Sequence, residues 1–346
     1  MNILHIYSPG DRMQANYVDL LLHHASDDLH VEAMTDAKEF RKRCKTNPPD
    51  VVHQHDCLDP SIARCIDYAY KKGIRIVLTP HGQLEPWEVK RSVFMTNPFI
   101  RRNIRHTYAI TVMGKMEADT MKGLGWNNRI EIIRNPIVTK TTSPQQLALQ
   151  MYTIYKKTVD SQSLTQFDDK ERDFLRLALK AGITGDKRWI TEPLQEPTSW
   201  KALSIYVYNE GVSSVFQKGL QVLGINAPSY TTADLKSYLP NDYKLPIPIK
   251  ANSIVELTSA INNNIAERQL PLIHLVQLDE KLRYGLVEDD HLTDTLIDDG
   301  QFELFTSLMQ LLSEYTGLDE GFMPCKPQDG KLTKRMRNIV ERHLQI

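Results

Sequence analysis

Three histidines stand where an imidazole could act on a bound molecule. His53 and His55 lie one residue apart in Asp50-Val51-Val52-His53-Gln54-His55-Asp56, and His81 follows in Thr79-Pro80-His81-Gly82-Gln83-Leu84-Glu85-Pro86-Trp87. An extended chain sends alternate side chains to opposite sides, so His53 and His55 share one side. Imidazole exchanges protons near neutral pH and ligates metals through either ring nitrogen, so the group offers general acid–base chemistry or a metal site. Two arrangements are open. His53, His55, Cys57 and His81 have the right types for a zinc cluster. Alternatively one histidine is buried and hydrogen-bonded, Asp56 orients His55, and no metal is held.

The positioning elements follow from the pattern of the first 135 residues, in which short β-rich runs alternate with helical ones, as in a parallel sheet covered by crossover helices. Strands are expected at Asn2–Tyr7, Leu29–Met34, Asp50–His53, Ile74–Thr79, Ala109–Val112 and Ile130–Ile133, with helices at Met13–His24, Ala37–Cys44, Ser61–Lys72, Val89–Arg105 and Met116–Leu124. Gly125 stops the last helix, and Pro98 should break or kink the one before it. In such a sheet ligands sit outside the carboxyl ends of the strands, where all three histidines fall.

A polar stretch, Thr139 to Pro144, marks a domain boundary after residue 140. Beyond it, residues 145–160 and 168–182 read as a helical pair, and 210–223, 253–268, 300–316 and 331–344 are also helical in period. Ala202–Tyr208 and Leu272–Leu278 read as strands. The expected second domain, 141–346, is therefore mainly helical with a few strands.

Composition bounds the function. The chain has 346 residues, 41% hydrophobic and 25% charged, which suits two globular domains. Residues 1–140 carry 20 Lys and Arg against 16 Asp and Glu, and the remainder 22 against 27, too mild an imbalance to imply nucleic acid. Neither a basic leader nor a membrane-length apolar run occurs, so a cytoplasmic location is expected. The four cysteines show no metal-finger pairing and read as reduced thiols.

Four pieces, DVVHQH, TPHGQLEPWEVKRS, AITVMGKMEADTMKGLG and IEIIRNPIV, occur in the order and spacing of the amino-terminal, acceptor-side domain of retaining GT-B glycosyltransferases. That family reads roughly apolar-x-S-x-x-E-x-x-x-L-x-x-L-G and I-x-x-I-P-N-G at the last two. The resemblance implies an α/β Rossmann-like domain and places His81 beside the sugar's reacting carbon as the catalytic candidate. It implies substrate-binding roles for Gly10, His53, His55, Gly82, Glu85, Trp87 and Asn135. Gly82 lets the backbone approach closely, while Glu85 and Trp87 suit sugar hydroxyls and a sugar face. Trp87 could equally pack its loop, and Glu85 could cap the helix that follows.

The implied ligands are a nucleotide sugar as donor substrate, with no cofactor, and a sugar or lipid-linked saccharide as acceptor. The basic stretch 88–106, with Lys90, Arg91, Arg101, Arg102 and Arg105 beside Val93, Phe94, Met95, Phe99 and Ile100, suits peripheral contact with the inner face of a membrane, or is a solvated helix face.

Three departures stand out. The glycine-rich turn after the first strand is reduced to Ser8-Pro9-Gly10-Asp11-Arg12, and Pro-Asn-Gly becomes Arg134-Asn135-Pro136. The donor half is not recognisable; its nearest echo is Asn209-Glu210-Gly211, with Lys218 in place of a second glutamate, and Glu210 is the one donor-site candidate. Two hypotheses result: a divergent glycosyltransferase of bacterial-type surface polysaccharide or glycolipid assembly, of weak activity, or a non-catalytic acceptor-binding or scaffolding relative whose helical domain meets a protein partner. A nicotinamide dehydrogenase is excluded because no G-x-G-x-x-G follows the first strand.

Overall fold

A computed structural model describes residues 1–91, 98–127, 129–190, 194–239, 243–285 and 288–342. The chain divides into two compact units, one of residues 1–161 with 238–243 and one of the remainder.

The first unit is built on six parallel strands, β1 (Asn2–Ile6), β2 (His30–Met34), β3 (Val51–Gln54), β4 (Arg75–Leu78), β5 (Ala109–Val112) and β6 (Ile130–Ile132), ordered β2-β1-β3-β4-β5-β6. The four central strands, β1, β3, β4 and β5, are buried on both faces and carry mostly apolar residues, while the edge strands β2 and β6 are partly exposed. On one face Ile3, Val51, Val77 and Ala109 pack under α1 (Arg12–His23) and α7 (Pro144–Asp160). On the other, Leu4, Ile6, Val52, Ile76, Leu78 and Ile110 pack under α2 (Ala37–Thr46), α3 (Pro60–Lys71), α5 (Pro98–Arg105) and α6 (Lys115–Leu124). Asp11, Asp36 and Asp59 each accept two backbone N–H bonds at the start of α1, α2 and α3, so aspartate caps open three of the crossovers.

The helix expected over 89–105 is two helices among the described residues, α4 (Pro86–Arg91) and α5, the second beginning at Pro98. Val93, Phe94 and Met95 of the basic stretch lie outside the described residues. Arg102 is taken up internally, bonding Asp67 at 2.6 Å and lying 4.4 Å over the Phe99 ring. Helix α7, with its Ser143–Gln146 capping box, belongs to the first unit.

The second unit is helical: α8 (Asp169–Thr184), α9 (Trp200–Asn209), α10 (Ser213–Leu223), α11 (Thr232–Lys236), α12 (Ile254–Ala266), α13 (Leu272–Tyr284), α14 (Asp289–Asp298), α15 (Phe302–Tyr315) and α16 (Lys331–Glu341). Both segments expected as strands here are helices, and no strand occurs among the described residues of this unit. In α9, Ala202, Leu203, Tyr206 and Val207 form one buried helical face, and tertiary burial overrides the β preference of Ile205, Tyr206 and Val207. In α13 seven of the first eight residues are buried, so the helix has no polar stripe to mark its period.

Helices α8 and α10 meet backbone to backbone. A Cβ on Gly182 would stand 2.0 Å from the Val215 carbonyl oxygen, and one on Gly219 would stand 1.8 Å from that of Ala178.

Candidate functional site

The strand order reverses between β1 and β3, with α1 leaving toward one face and α3 covering the other, and in sheets of this kind ligands bind outside the carboxyl ends of the strands at such a switch point. The loop after β1 is tied across it. Ser8 donates to Asp56 at 2.6 Å, while Asp56 also accepts the backbone N–H groups of Leu58 and Asp59. Asp56 thus holds two loops, and it has no hydrogen bond to His55. Gly10 turns this loop at φ +91°, with open space where a Cβ would stand.

His55 is held instead by two other imidazoles. His5 pairs with His53 in the β1–β3 register, so both side chains rise on the face under α7. His5 Nδ1 lies 2.8 Å from His55 Nε2, and His55 Nδ1 lies 3.0 Å from His81 Nε2, forming a three-ring chain. His53 is bonded separately, at 2.7 Å to the Tyr155 hydroxyl of α7 and 2.7 Å to Thr79, which bonds Thr111 in turn. Tyr17 of α1 closes the group with its ring edge-on to His81, centroids 4.8 Å apart.

Burial sets the charge state. Desolvation lowers His5 to about 3 and His81 to about 4, and holds His53 and His55 well below the usual imidazole range, helped for both by neighbouring histidines. All four rings are neutral at pH 7. A neutral imidazole carries one N–H, so two N···N bonds in series admit only two proton arrangements. One places the spare N–H on His81 Nδ1 and leaves a lone pair at His5 Nε2; the other reverses this. Both terminal nitrogens are buried without a partner. Each arrangement leaves one orphan N–H; His5 is wholly enclosed and His81 only partly, so the N–H costs less on the His81 ring and the chain favours a donor at His81 Nδ1.

The turn that presents His81 is strained. His81 has φ +51°, a left-handed conformation costing roughly 1–2 kcal/mol for a residue with a Cβ, and Gly82 follows at φ +86°. Glu117 of α6 fixes the turn, its Oε1 accepting the N–H groups of Gly82 at 3.0 Å and Leu84 at 3.4 Å. Burial raises Glu117 to about 7, against these N–H groups, which favour its charged form, and with the Glu85 carboxylate adding to the rise. Burial also raises Glu85, one of whose oxygens is buried and unpartnered.

The structure joins His53, His55, His81 and Gly82 in one cluster, with Glu85 in the same turn. Trp87 stands on α4 with about half of its surface exposed (53%). Glu85 directly precedes α4, and its backbone carbonyl accepts the Val89 N–H. Asn135 is buried after β6, where its side chain accepts the Ile137 N–H and shapes its own turn. Glu210 belongs to the second unit. It ends α9, a helix and not a strand, and accepts the Leu272 N–H at the start of α13 at 2.8 Å.

Sequence reasoning missed His5, Tyr17, Tyr155 and Glu117. Glu117 had a signal, since it occupies the glutamate of the S-x-x-E piece. His5 had none without the strand register.

Metal binding is possible by distance, because ligand atoms of His5, His53 and His55 all lie within 4.8 Å of one another. Yet five of their six ring nitrogens already make protein hydrogen bonds, and only His5 Nε2 has no partner. The ring set is therefore satisfied as a hydrogen-bonded network. Cys57 is engaged elsewhere, with both its N–H and its thiol bonded to Gln83, and does not join the rings.

Residues 5–141 match the family model described as Glycosyltransferase Family 4. No curated protein and no solved structure matches the chain. The match begins at the end of β1 and runs through β2 to β6, taking in the imidazole chain, and it supports a GT-B glycosyltransferase amino-terminal domain. The protein is glycosyltransferase-like over this part.

Proposed function

We propose that the carboxyl edge of the sheet binds a saccharide or nucleotide sugar, with His81 Nδ1 as the donor that meets a substrate oxygen. The observation that carries this reading is the three-imidazole chain ending on a buried, unpartnered nitrogen beside a strained turn. Such strain is kept where the surroundings over-determine it, commonly at sites of binding or reaction. Glycosyl transfer builds negative charge on a departing phosphate, and a pre-set neutral N–H donor stabilises that charge without taking on a full charge in the resting state. His55 and His5 then act as positioning residues that set which His81 nitrogen holds the proton. Gly82 allows close approach, and Glu85 and Trp87 offer a carboxylate and an aromatic face for a sugar.

A place in surface polysaccharide or glycolipid assembly, with a lipid-linked acceptor near a membrane, agrees with the basic stretch 88–106. Weak transfer by this chain alone, or an acceptor-binding role beside a partner protein, is favoured by one observation. The segments that would supply donor-side strands, 202–208 and 272–278, are helices of the second unit.

Thermal shift and calorimetry with UDP, GDP, their sugars and free oligosaccharides test the reading. A bound ligand at a hundredfold excess over its dissociation constant stabilises the fold by roughly 2.7 kcal/mol. His81→Ala should abolish that gain. Absence of binding across the panel, or equal binding by His81→Ala, refutes the site. Turnover of a bound nucleotide sugar by the chain alone separates an enzyme from an acceptor-binding relative.

A further inference from the structure

The amino-terminal edge of the same sheet holds two arginines together. Arg75 opens β4, Arg129 stands one residue ahead of β6, and Tyr108 stands one residue ahead of β5, the strand between them. The guanidinium carbon of Arg129 lies 4.1 Å from the centre of the Tyr108 ring, and that of Arg75 lies 5.7 Å from it. Arg75 is only 7% exposed, and its Nε is buried with no partner. Among the described residues neither guanidinium has a carboxylate or a hydrogen-bond acceptor.

Other enclosed arginines of this chain are answered by acids: Arg43 bonds Glu32 at 2.8 Å, and Arg283 bonds Asp279 at 2.5 Å and Asp319 at 3.0 Å. Burial and the neighbouring Arg129 lower Arg75 to about 9, which still leaves it charged at neutral pH. The Tyr108 hydroxyl meets Ser161 at 2.9 Å, at the end of α7, whose terminal carbonyls supply about half a negative charge. Tyr70 beside Arg75 and Tyr243 beside Arg129 favour the charged forms, but among the described residues no carboxylate pairs with either guanidinium.

We infer that Arg75, Arg129 and Tyr108 form a binding site for a phosphate group. Each guanidinium offers a planar fork of N–H donors that matches two oxygens, and a phosphate monoester, with close to two negative charges and three free oxygens, can answer both forks at once. A single carboxylate can neutralise only one. The Tyr108 ring between them holds the forks by cation–π contact, so they are arranged before the anion arrives. The phosphate comes either from a soluble phosphomonoester or from a phospholipid headgroup.

The test titrates the full chain with inorganic phosphate at constant ionic strength, by calorimetry and thermal shift, with acetate as control. Phosphate should raise the melting temperature saturably and acetate should not. Arg129→Met should abolish the response, and Arg129→Lys, which keeps the charge and loses the fork, should weaken phosphate at least about tenfold. His81→Ala should leave the response intact, which separates this site from the saccharide reading. Capture by phosphatidic-acid vesicles that free phosphate reverses assigns the lipid source; a response to free phosphate without vesicle capture assigns a soluble one. No response to phosphate, or a response unchanged in both Arg129 variants, overturns the inference.

Discussion

The two edges of the sheet both enclose ionisable side chains beside α7, and they meet the cost of burial in opposite ways. At the carboxyl edge four imidazoles shed their protons, because a group whose ordinary pKa lies near 6.5 can become neutral cheaply. At the amino-terminal edge Arg75 and Arg129 cannot do so, because guanidinium stays charged throughout the physiological range. Neutral rings can satisfy one another; paired cations call for something from outside. The difference teaches that a crowd of buried titratable groups points outward to a ligand only when none of its members can discharge.

Acid should break this contrast with the largest effect. The histidines have lower pKa values folded than unfolded, so the unfolded chain takes protons first; their contribution is complete above about pH 6.5 and is lost as pH falls toward their folded values. The fall of His81 from 6.5 to about 4 alone corresponds to roughly 3 kcal/mol. With His5 displaced further, the first unit should unfold cooperatively between about pH 6 and 4, while the arginines add no slope in that window. Circular dichroism against pH checks this, and an intact fold at pH 3.5 would mean the rings are not desolvated as described.

His55→Ala comes next. It removes a fully buried ring and strands its partners on His5 and His81, and should cost about 3–5 kcal/mol in urea denaturation. A cost below about 1 kcal/mol would show that the chain of rings carries no structural weight. Gly82→Ala should cost about 1–2 kcal/mol, because φ +86° and not lack of space demands glycine there; the nearest atom to an added Cβ is 3.9 Å away.

The smallest effect concerns a third way of burying charge. Glu210, fully buried, points at the start of α13, where the helix dipole and the Leu272 N–H answer it. Glu210→Gln should cost about 1 kcal/mol and leave phosphate and saccharide binding unchanged. A selective loss of nucleotide-sugar binding in that variant would make Glu210 a ligand residue after all.

Much of the first unit was legible in the sequence, because βα alternation is a local signal. All six strands fall within about a residue or two of their expected bounds, and the strand-end location of His53, His55 and His81 followed from alternation alone. His5 was not legible, since its place beside His53 depends on the β1–β3 register, a non-local fact. Tyr155 and Tyr17 were hidden for a related reason: each sits on a helix at an apolar position and reveals its polar tip only once the helix is docked. In the second unit the helices with one polar side were readable. Residues 272–278 were not, because a segment buried on all sides carries no period, and 202–208 were misread through their β-branched and aromatic content.

The contact between α8 and α10 has a consequence for tracing ancestry. With Gly182 and Gly219 set against the carbonyls of Val215 and Ala178, no side chain larger than hydrogen fits at either position without moving a backbone. A descendant of this helical unit can drift at nearly every surface position, but it cannot exchange either glycine unless the helices part. The spacing Ala178-x-x-x-Gly182 on one helix and Val215-x-x-x-Gly219 on the other is therefore a two-point fingerprint. Searching for it could recover kin of the helical unit among chains that never acquired the sheet.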